Sequence, residues 1–426
     1  MTTIVIGAGL AGLFAARALH DAGEEVIVLE ATDHLGGRTR GVRGRLHHDQ
    51  IADAGASFVD IGQDTLLEFC VRQDLRLTPQ VRLLPRDPRG FSTGASALRG
   101  RIVSGGRALV DAERWDLADE VQMALEQDPP ERVETLLAWS RRVGLSPRAR
   151  DAYAMQGSLA PQARRELVSS WHVHPGDAAQ ARWMLADGAD SIARAAAGGL
   201  NLVFGSPVRW VDKEPVGYTI HTDDDSFSAQ YVVVTSSVQA TRRIGFDPVL
   251  PEWKTEALLT TPMSQGGKII AQYADADRLV DAAGQGAMTD SPVGRFWFKR
   301  GPEDTLIAMG VMTDGGDGML TQHAAALQVL DRQIEALTGS PPDRIAGLVH
   351  DWTTEEFVGG VVSLDTGGFE RRAVLAAPVG GLHFAGEATG ERTGTMEAAV
   401  RSGRRAADEI LQKRRRGRSR PRGGGR

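Results

Sequence analysis

The chain has 426 residues, of which 42% are hydrophobic, and its 49 basic and 55 acidic residues give a formal net charge of −6. This length predicts two or three domains and excludes a chain too small to bury its own core. The single cysteine, Cys70, excludes an intramolecular disulfide and a cysteine-based zinc site, and the acidic balance argues against nucleic acid as the main partner.

Apolar residues occur in short runs, none of which reaches about 18 residues, so the sequence predicts no membrane span. With one cysteine, nothing in the composition points to an oxidising compartment, and the cytosol is the expected location. No spacing of histidines and carboxylates predicts a metal site.

The first predicted elements lie in residues 3–30. Ile4–Ile6 and Val26–Leu29 have the short apolar pattern of buried strands, and residues 10–22 between them have a helical pattern. Two neighbouring parallel strands require a crossover connection of this kind. Residues 3–30 therefore predict a β-α-β unit.

The run Gly7-Ala8-Gly9-Leu10-Ala11-Gly12 joins the first strand to this helix and fits the spacing G-x-G-x-x-G. In that pattern Gly7 permits the tight turn, Gly9 lets a pyrophosphate approach the backbone, and Gly12 lets helix and strand pack closely. Glu30 ends the second strand, where a carboxylate can accept hydrogen bonds from the ribose hydroxyls of an ADP moiety. These features together predict a dinucleotide site, and the alternative is a tight turn that binds nothing.

The rest of the chain alternates between helical and strand-rich stretches. Residues 66–185 have amphipathic patterns broken by prolines and predict a helical insertion. The predicted strands that follow are 200–204, 208–211, 218–222, 231–235, 268–273, 294–299 and 305–312. A helix at 323–337, a strand running into a glycine turn at 381–386 and a last helix at 395–412 complete the pattern.

Three groups of residues carry a resemblance to a known family. They are Glu30-Ala31 with Gly36-Gly37-Arg38-Thr39, then Asp53-Ala54-Gly55-Ala56-Ser57, and finally His383-Phe384-Ala385-Gly386-Glu387-Ala388-Thr389 with Gly394-Thr395-Met396-Glu397-Ala398-Ala399. The chain resembles the flavin-containing amine oxidoreductases, which include monoamine and polyamine oxidases, lysine-specific histone demethylases and L-amino-acid oxidases. The resemblance spans most of residues 2–411 and is weakest between about 80 and 185.

The resemblance implies FAD as the cofactor. Arg38 beside two glycines suits bidentate contact with a phosphate, and a plain surface arginine is the alternative. The residues that the resemblance and the glycine motif together assign to FAD are Gly7, Gly9, Ala11, Gly12, Glu30, Ala31, Gly36, Gly37, Arg38, Thr39, Gly55, Ala56, Ser57, Val208, Gly386, Glu387, Gly394, Thr395, Met396 and Ala399.

We therefore expect an α/β fold with mixed α+β features. A Rossmann-like FAD-binding domain is expected from residues 1–75, 188–257 and 353–411, and a substrate-binding domain of sheet and helices from residues 76–187 and 258–352. The active site is expected where the flavin ring meets the second domain. Residues 412–426 are predicted to form a disordered basic tail, because residues 413–426 hold 8 basic residues and neither an acidic nor an apolar one.

Four residues are candidates for catalysis on family grounds, namely Lys268, Trp352, Arg295 and Thr395. Lys268 matches the family's lysine that holds a water against flavin N5, where a cation assists electron transfer to oxygen. Trp352 resembles a tryptophan beside the flavin, with an unrelated core aromatic as the alternative. Arg295 lies on a strand whose family counterpart lines the substrate cavity, so it is a candidate clamp for a carboxylate or carbonyl. A surface arginine paired with a local acid is the alternative for Arg295.

Val362 and Thr395 occupy the positions at which amine oxidases commonly carry two facing aromatic side chains, so this chain lacks the usual cage. Thr395 is counted among the catalytic candidates. Val361 occupies the position of the flavin-linking cysteine of monoamine oxidases, and Cys70 is far from it in sequence, so the FAD is predicted to be non-covalent. His172 and His174 are weaker candidates for the substrate cavity, with ordinary loop histidines favoured.

The predicted function is an FAD-dependent amine oxidase. Hydride passes from the carbon next to the substrate nitrogen to flavin N5, giving an imine, and O2 reoxidises the flavin to give hydrogen peroxide. Because the cage is absent, two alternatives stay open. One is an amino-acid oxidase using Arg295, and the other is a natural-product tailoring oxidase or dehydrogenase acting on a less basic nitrogen such as an amide. A third hypothesis is a non-catalytic flavin-binding scaffold that uses the basic tail. The expected partners are a small nitrogen-containing substrate and O2, without nucleic acid or membrane, and a homodimer is left open.

Overall fold

The computed structural model describes residues 2–80, 101–131, 134–156, 182–313, 318–364, 368–391 and 393–419. In these ranges the strands are β1 (Thr3–Ile6), β2 (Val26–Leu29), β3 (Gly41–Val42), β4 (Ala52–Asp53), β5 (Val59–Asp60), β6 (Leu77–Gln80), β7 (Ile102–Ser104), β8 (Arg107–Ala108), β9 (Arg182–Leu185), β10 (Asn201–Val203), β11 (Trp210–Lys213), β12 (Tyr218–His221), β13 (Ser226–Ala229), β14 (Tyr231–Val234), β15 (Gly245–Asp247), β16 (Gly266–Ala274), β17 (Gly286–Thr289), β18 (Val293–Arg300), β19 (Thr305–Thr313), β20 (Arg344–Asp351) and β21 (Leu382–Phe384). The α-helices are α1 (Leu10–Asp21), α2 (Asp64–Arg72), α3 (Asp111–Gln127), α4 (Leu136–Arg142), α5 (Pro147–Gln156), α6 (Asp190–Ala197), α7 (Val238–Thr241), α8 (Glu252–Thr260), α9 (Ala276–Ala283), α10 (His323–Thr338), α11 (Gly368–Ala376) and α12 (Met396–Ser419).

A five-stranded parallel sheet, in the order β10-β2-β1-β14-β21, contains the predicted β-α-β unit. All its neighbouring strands are parallel, and α1 makes the crossover from β1 to β2. Helices α1, α6 and α12 cover one face, and the other face packs on the four-stranded sheet β13-β12-β11-β15. Because both faces are covered, strands such as β14 are continuous apolar runs rather than alternating ones. The predicted mixed α/β fold class is confirmed.

A seven-stranded sheet, in the order β20-β16-β19-β18-β17-β7-β8, forms a second layer of the molecule. Its pairs are antiparallel apart from β17 with β7. Helices α9 and α10 pack on one face. The opposite face, called the inner face below, carries Lys268, Arg295, Trp297 and Met309, and packs on residues 42–58 and on β9.

The described residues of the stretch from 66 to 185 form strands as well as helices, so this part is less helical than predicted. Helices α3, α4 and α5 do pack together around Trp139 and Tyr153. Strands β6, β7, β8 and β9 lie in the same stretch, and β9 and β7 pair with the distant strands β5 and β17. A local periodicity does not report such long-range pairing, which overrode the helical pattern. Residues 81–100 and 157–181, which include His172 and His174, lie outside the described part.

The last helix is longer than predicted. Helix α12 continues to Ser419, so the predicted disorder is wrong for residues 412–419, and residues 420–426 lie outside the described part. Arg414 is ion-paired with Glu24, donates to the hydroxyl of Thr3 at 3.2 Å and lies 5.4 Å from the ring centroid of Tyr231. The tail has no apolar residue, but this cation has partners beside the N-terminal ends of β1 and β14. Composition alone did not reveal them.

None of the described helices combines the length and the apolar composition that crossing a bilayer requires. The two sheets lie within the chain segments assigned above to the cofactor and the substrate. The domain boundaries themselves stay a prediction.

Candidate active site

An open cavity lies at the carboxyl ends of strands β1, β2, β14 and β21, and its empty volume of about 1400 Å³ includes space open to solvent. Ligands of open parallel sheets bind at this edge, where neighbouring connections diverge. The predicted residues that line the cavity are Gly7, Gly9, Ala11, Glu30, Ala31, Gly36, Gly37, Arg38, Thr39, Val208, Trp352, Gly386, Glu387, Gly394, Thr395, Met396 and Ala399.

The turn between β1 and α1 forms the first wall. Gly7 has a φ of 102°, and a Cβ on Gly12 would lie 1.9 Å from the carbonyl oxygen of Gly7. Gly12 therefore serves helix packing and does not line the cavity. A Cβ on Gly9 would meet no atom within 4 Å, and α1 begins at Leu10 without a side-chain cap. The turn thus leaves open space before a helix N-terminus, where an anion is favoured.

Glu30 lies buried at the end of β2, on the cavity wall. Its Oε2 accepts a hydrogen bond from the N–H of Ala8 at 2.7 Å, and its Oε1 accepts from the N–H and the hydroxyl of Thr32 at 2.9 and 2.8 Å. These contacts fix the carboxylate beside the glycine turn. A carboxylate held there suits ribose hydroxyls and repels a 2′-phosphate.

A partly buried ion pair joins residues from the N-terminal and C-terminal parts of the chain. Arg38 Nη1 lies 2.8 Å from Glu387 Oε1 and also donates to the carbonyl of Val361 at 3.1 Å. Glu387 accepts from the N–H and hydroxyl of Ser363 at 3.1 and 2.7 Å, and from the N–H of Gly394 at 2.8 Å. Burial by itself raises the pKa of Glu387, but Arg38 and these hydrogen bonds hold it below its ordinary value. Arg38 is therefore not a plain surface arginine.

Gly55, Ala56 and Ser57 support the cavity from behind and do not line it. The N–H of Ala56 donates to the carbonyl of Arg38 at 3.0 Å, and a Cβ on Gly55 would lie 1.9 Å from the same oxygen. Gly55 and Ser57 also accept hydrogen bonds from Lys268. Their assignment to FAD contact stays a prediction.

Lys268 is buried on β16, on the inner face, and does not line the cavity. Its Nζ donates to the carbonyl of Gly55 at 2.8 Å and to the hydroxyl of Ser57 at 3.2 Å, and lies 4.3 Å from the ring centroid of Trp297. Burial lowers the pKa of Lys268 to about 8, and the negative charge of Asp53 opposes this shift. The ammonium group is therefore mainly protonated at pH 7.

Trp352 and Thr395 lie on the cavity wall, together with Val362. The buried indole N–H of Trp352 donates to the carbonyl of Ala54 at 2.8 Å, and the ring of His350 packs edge-on against it with 4.4 Å between centroids. Thr395 Oγ1 accepts from a backbone N–H of α12 at 3.1 Å, which caps that helix. Val362 and Thr395, at the positions where amine oxidases commonly carry two facing aromatic rings, thus line the cavity with non-aromatic side chains.

Arg295 lies half-buried on β18, on the inner face, and does not line this cavity. Burial lowers the pKa of its guanidinium to about 10, and Asp60 opposes the shift from a distance. Asp60 pairs with Arg182, at 2.9 Å, rather than with Arg295. Pairing with a local acid, the alternative given for Arg295, is therefore not seen among the described residues.

The family model for flavin-containing amine oxidoreductases matches residues 10–411. The chain belongs to this family. It is 29% identical over 444 residues to the Mycobacterium tuberculosis protein AofH, whose name describes a flavin-containing monoamine oxidase, with 96% of each chain covered. It is 24% identical to an L-amino acid oxidase of Bothrops pictus, over 96% of this chain and 89% of that one.

The solved structure of cyclohexylamine oxidase from Brevibacterium oxydans superposes with a TM-score of 0.80 at 23% identity, over 97% of this chain and 99% of that one. At this identity the likeness concerns the fold. The resemblance read from the motifs is confirmed, and this flavin amine oxidoreductase is an FAD-dependent oxidoreductase.

The cavity of this flavoprotein fits FAD on chemical grounds. The space before α1 is open at Gly9, and Gly36 and Gly37 have left-handed φ values of 95° and 53° that bring backbone rather than side chains to the wall. A diphosphate suits the helix N-terminus, and Glu30 supplies the acceptor for a ribose.

Several cavity residues were missed by sequence reasoning, namely His34, Arg40, Ser236, Arg243 and Glu355. Arg40 pairs with Glu355 at 2.8 Å and lies over the Trp352 ring, 5.6 Å from its centroid. Arg40 and Glu355 could have been predicted from the sequence, because they lie close to Arg38 and Trp352 along the chain. Arg243 and Ser236 had no local signal, because the pairing of β14 with β1 is what brings them to the cavity.

Within the described ranges, no three His, Cys, Asp or Glu side chains are arranged to hold a metal ion.

Proposed function

We propose that this protein is an amine oxidase that holds FAD without a covalent link. The cavity supports this most, because one continuous space touches the glycine turn at Gly9, the carboxylate of Glu30 and the N-terminus of α12 at Met396. FAD, when bound, supplies the redox chemistry: it takes hydride from the carbon next to the substrate nitrogen, leaving an imine, and passes two electrons to O2 to give hydrogen peroxide.

The chain itself binds, orients and stabilises charge in this proposal. Glu30 accepts hydrogen bonds from the ribose, and the free N–H groups at the start of α1 take the diphosphate. Arg38, fixed by Glu387 and Val361, supplies positive charge on the same wall. The N-terminus of α12 adds a partial positive charge near Thr395, where a reduced flavin ring would carry its negative charge.

Lys268 is proposed as the residue that assists the reaction with O2. Its ammonium is buried and protonated at pH 7, so its charge is little screened by water. A fixed cation stabilises the negative charge that develops as oxygen is reduced.

The absence of a covalent link rests on two residues. Val361 lines the cavity at the position of the linking cysteine. Cys70 is buried in the core that α1 and α2 share. Acid precipitation should therefore release all of the yellow colour into the supernatant, and colour that stays with the pellet contradicts this part of the proposal.

The proposed substrate is a small amine. An alkylamine with a pKa of about 10 costs roughly 4 kcal/mol to deprotonate at pH 7, and an apolar pocket reduces that cost. The side chains of Val361, Val362 and Trp352 supply apolar surface on the cavity wall.

We also propose a cytosolic location, residues 76–187 and 258–352 as the substrate-binding domain, and either a monomer or a homodimer as the assembly.

Anaerobic stopped-flow mixing of the FAD-loaded protein with amines, amino acids and amides tests the proposal. An amine that bleaches the flavin absorbance, followed by stoichiometric hydrogen peroxide on admission of air, is the expected result. Bleaching by amides alone favours the tailoring oxidase instead. A protein that stays colourless after incubation with FAD overturns the proposal.

A further inference from the structure

Two aromatic rings and two cations form a stack on the inner face of the seven-stranded sheet. Lys268 Nζ lies 4.3 Å from the centroid of the Trp297 ring. Trp297 in turn packs against Phe58, with 4.9 Å between ring centroids, and the guanidinium carbon of Arg182 lies 4.6 Å from the Phe58 centroid. Both cations are within the distance of about 6 Å at which a ring attracts a positive charge. The indole of Trp297 therefore contacts the lysine proposed to assist the reaction with O2.

The strand register brings Trp297 to Lys268. Trp297 on β18 is opposite Met309 on β19, and Met309 is opposite Ile270 on β16. Ile270 is two residues from Lys268 on the same strand. Directly opposed residues of antiparallel strands, and residues two apart on one strand, place their side chains on the same face. Trp297 and Lys268 thus lie on one face, two strands apart, and their long side chains meet above the strand between them.

The ammonium group of Lys268 has three N–H groups, and oxygens accept two of them. The carbonyl of Gly55 accepts at 2.8 Å and the hydroxyl of Ser57 at 3.2 Å. No other acceptor contacts this group among the residues that the structure describes, so the third N–H is available to a ligand. The Trp297 ring is a further neighbour that attracts the cation. Two oxygens and one ring thus hold the charge in place.

The indole N–H of Trp297 does not explain why a tryptophan occupies this position. Its Nε1 is buried and has no hydrogen-bond partner among the described residues. A buried unpaired N–H is unfavourable, and a phenylalanine would avoid it. The ring does offer a reason, because indole attracts a cation more strongly than phenyl does. The contact with Lys268 is therefore the interaction that distinguishes tryptophan from other apolar residues here.

Other charged or titratable groups lie on the elements packed against Lys268. They are Asp53 in residues 42–58, Arg295 and Lys299 on β18, and His350, which is opposite Lys268 on β20. Burial lowers the pKa of Lys268 to about 8, and the charge of Asp53 opposes this shift. The Trp297 ring acts in the same direction as Asp53, since it too favours the protonated form. Unlike Asp53, whose own pKa is about 6, the indole does not titrate, so its contribution is the same at every pH.

We propose that Trp297 is a positioning residue for the reaction with O2, because its ring holds the Lys268 ammonium in place and in its charged form. The inference rests on the proposed role of Lys268 in that reaction. Trp297 does not line the cofactor cavity, so it acts through the lysine and not by contact with the flavin. The large sheet thereby supplies both the cation and the ring that stabilises it.

The pKa of Lys268 in the FAD-loaded protein tests this directly. Only five of the 49 basic residues are lysines, so protein labelled with ¹³C at lysine Cε gives few signals, and Lys268→Met identifies the one of interest. A ring beside a cation away from water favours the charged form, so Trp297→Leu should lower the pKa by about 1. Trp297→Phe keeps a weaker ring and should lower it by about half as much. An equal pKa in the wild type and Trp297→Leu overturns the inference.

Phe298→Leu is the matched control. Phe298 follows Trp297 on β18 but faces the opposite side of the sheet, where it packs against Phe296 with 5.6 Å between ring centroids. Both variants lose buried aromatic surface, but Phe298→Leu leaves the surroundings of Lys268 unchanged and should keep its pKa. A similar shift in both variants shows that a loosened sheet is responsible and overturns the inference. If Trp297→Leu fails to fold, Trp297→Met takes its place.

Reoxidation of photochemically reduced flavin provides the functional readout, and it requires no amine substrate. If the rate follows the protonated fraction of Lys268, Trp297→Leu should match the wild type at pH 6 and be about 5-fold slower at pH 8. Phe298→Leu should follow the wild type at both pH values. A lowered pKa with an unchanged rate profile overturns both the inference and the proposed role of Lys268. A rate that declines near pH 8 in every variant, with an unchanged pKa, overturns the inference alone.

Discussion

The cofactor cavity and the inner face of the large sheet are built from different parts of the chain. In the cavity, the turn at Gly7 leaves open space at Gly9, and the charges of Arg38 and Glu387 compensate each other. On the inner face, the strand register rather than a turn sets the positions of the charged side chains. The cavity therefore depends both on side-chain volume and on one balanced ion pair, whereas the inner face depends mainly on charge.

Asp53 shows how charge is balanced on the inner face. Its Oδ1 accepts from the N–H of Ala189 at 2.8 Å, while its buried Oδ2 has no hydrogen-bond partner among the described residues. Burial raises the pKa of Asp53 to about 6, although the N–H of Ala189 and the charges of Lys268 and Lys299 oppose the rise. The carboxylate is thus mainly anionic at pH 7, and its negative charge attracts the ammonium groups of both lysines.

The largest expected effect is at the compensated pair of the cavity. Glu387→Gln leaves Arg38 without its counter-ion. It also replaces the carboxylate that accepts hydrogen bonds from Ser363 and Gly394 by an amide, one end of which is itself a donor. We expect the free energy of unfolding of the apoprotein at pH 7 to fall by about 3 kcal/mol, the low end of the range for a broken buried pair, because Arg38 is partly exposed. Urea unfolding followed by fluorescence measures this.

The control for Glu387→Gln is Asp223→Asn, which breaks the exposed pair with Arg209 and should cost less than 1 kcal/mol. The pKa of Glu387 is lowered in the folded state, so its stabilisation is complete above the pKa of the unfolded chain and disappears as the pH falls through the folded pKa. The gap between wild type and variant should therefore narrow in acid. Equal stability of the two proteins at pH 7 contradicts a structural role for the pair.

Substitutions of Gly9 and Gly12, which lie in the same turn, distinguish the space that folding requires from the space that the cofactor requires. Gly12→Ala places a Cβ against the carbonyl of Gly7, and we expect it to destabilise the apoprotein by about 2–3 kcal/mol. Gly9→Ala meets open space at an ordinary φ of −70°, so the stability of the apoprotein should change by less than about 0.5 kcal/mol. Its affinity for FAD should fall at least 10-fold, since the new methyl group lies on the cavity wall.

Thermal unfolding of the apoproteins and fluorescence titration with FAD measure both effects. Comparable losses of stability in Gly9→Ala and Gly12→Ala would show that the space at Gly9 is part of the packed fold. Undiminished FAD affinity in Gly9→Ala would show that the diphosphate lies elsewhere.

These two regions also differ in how far the sequence predicts them. The turn of Gly7, Gly9 and Gly12 and the acid Glu30 follow from local spacing, because one short β-α-β unit contains them all. The positions of Arg295 and Asp53 cannot be predicted from local spacing. They depend on the register of β18, β19 and β16 and on the packing of residues 42–58 against that sheet, which bring together residues distant in sequence.

The sequence errors have the same physical origin. Strands β6, β7 and β9 were hidden in a helical pattern because they pair with strands distant in sequence, and β8 is the hairpin partner of β7. The pairing of Arg414 with Glu24 was hidden because the two residues lie at opposite ends of the chain. Gly55 and Ser57 were assigned to FAD contact, which stays a prediction; in the structure they contact Lys268 and do not line the cavity.

A charge effect of intermediate size is expected on the inner face. Lys268→Met should slow the reoxidation of reduced flavin by O2 about 10- to 100-fold, because the fixed cation is lost. Lys299→Met is the control, since Lys299 contacts the carbonyls of Ile51 and Ala186 instead of the loop beside Trp352. Stopped-flow mixing of the reduced protein with oxygenated buffer measures the rate. Unchanged reoxidation in Lys268→Met removes the proposed role.

The pH profile of the same reaction tests the coupling of Asp53 to Lys268. In the wild type, reoxidation should slow as the pH rises through about 8, where Lys268 loses its proton. Asp53→Asn removes the negative charge that favours the ammonium, so the pKa of Lys268 falls and the decline should move to lower pH. In Lys268→Met the decline should be absent, and adding Asp53→Asn should have no further effect on it. A decline that stays near the same pH in Asp53→Asn shows that the two groups are not coupled.

The smallest loss of stability is expected at the far end of α12, a helix that begins at the cavity and ends among basic residues. Arg414→Ala removes a partner of Glu24 and Thr3, both side chains of the ion pair are only about a tenth exposed, and we expect the free energy of unfolding to fall by about 2 kcal/mol, between the values for exposed and for fully buried pairs. Arg415→Ala, at an exposed neighbouring position, is the matched control and should be neutral. FAD affinity should be unchanged in both, because Met396 and Thr395 are anchored by caps at the other end of the helix. Loss of FAD affinity in Arg414→Ala would mean that the end of the helix and the cavity are coupled, so that charge at the periphery also controls the shape of the cofactor site.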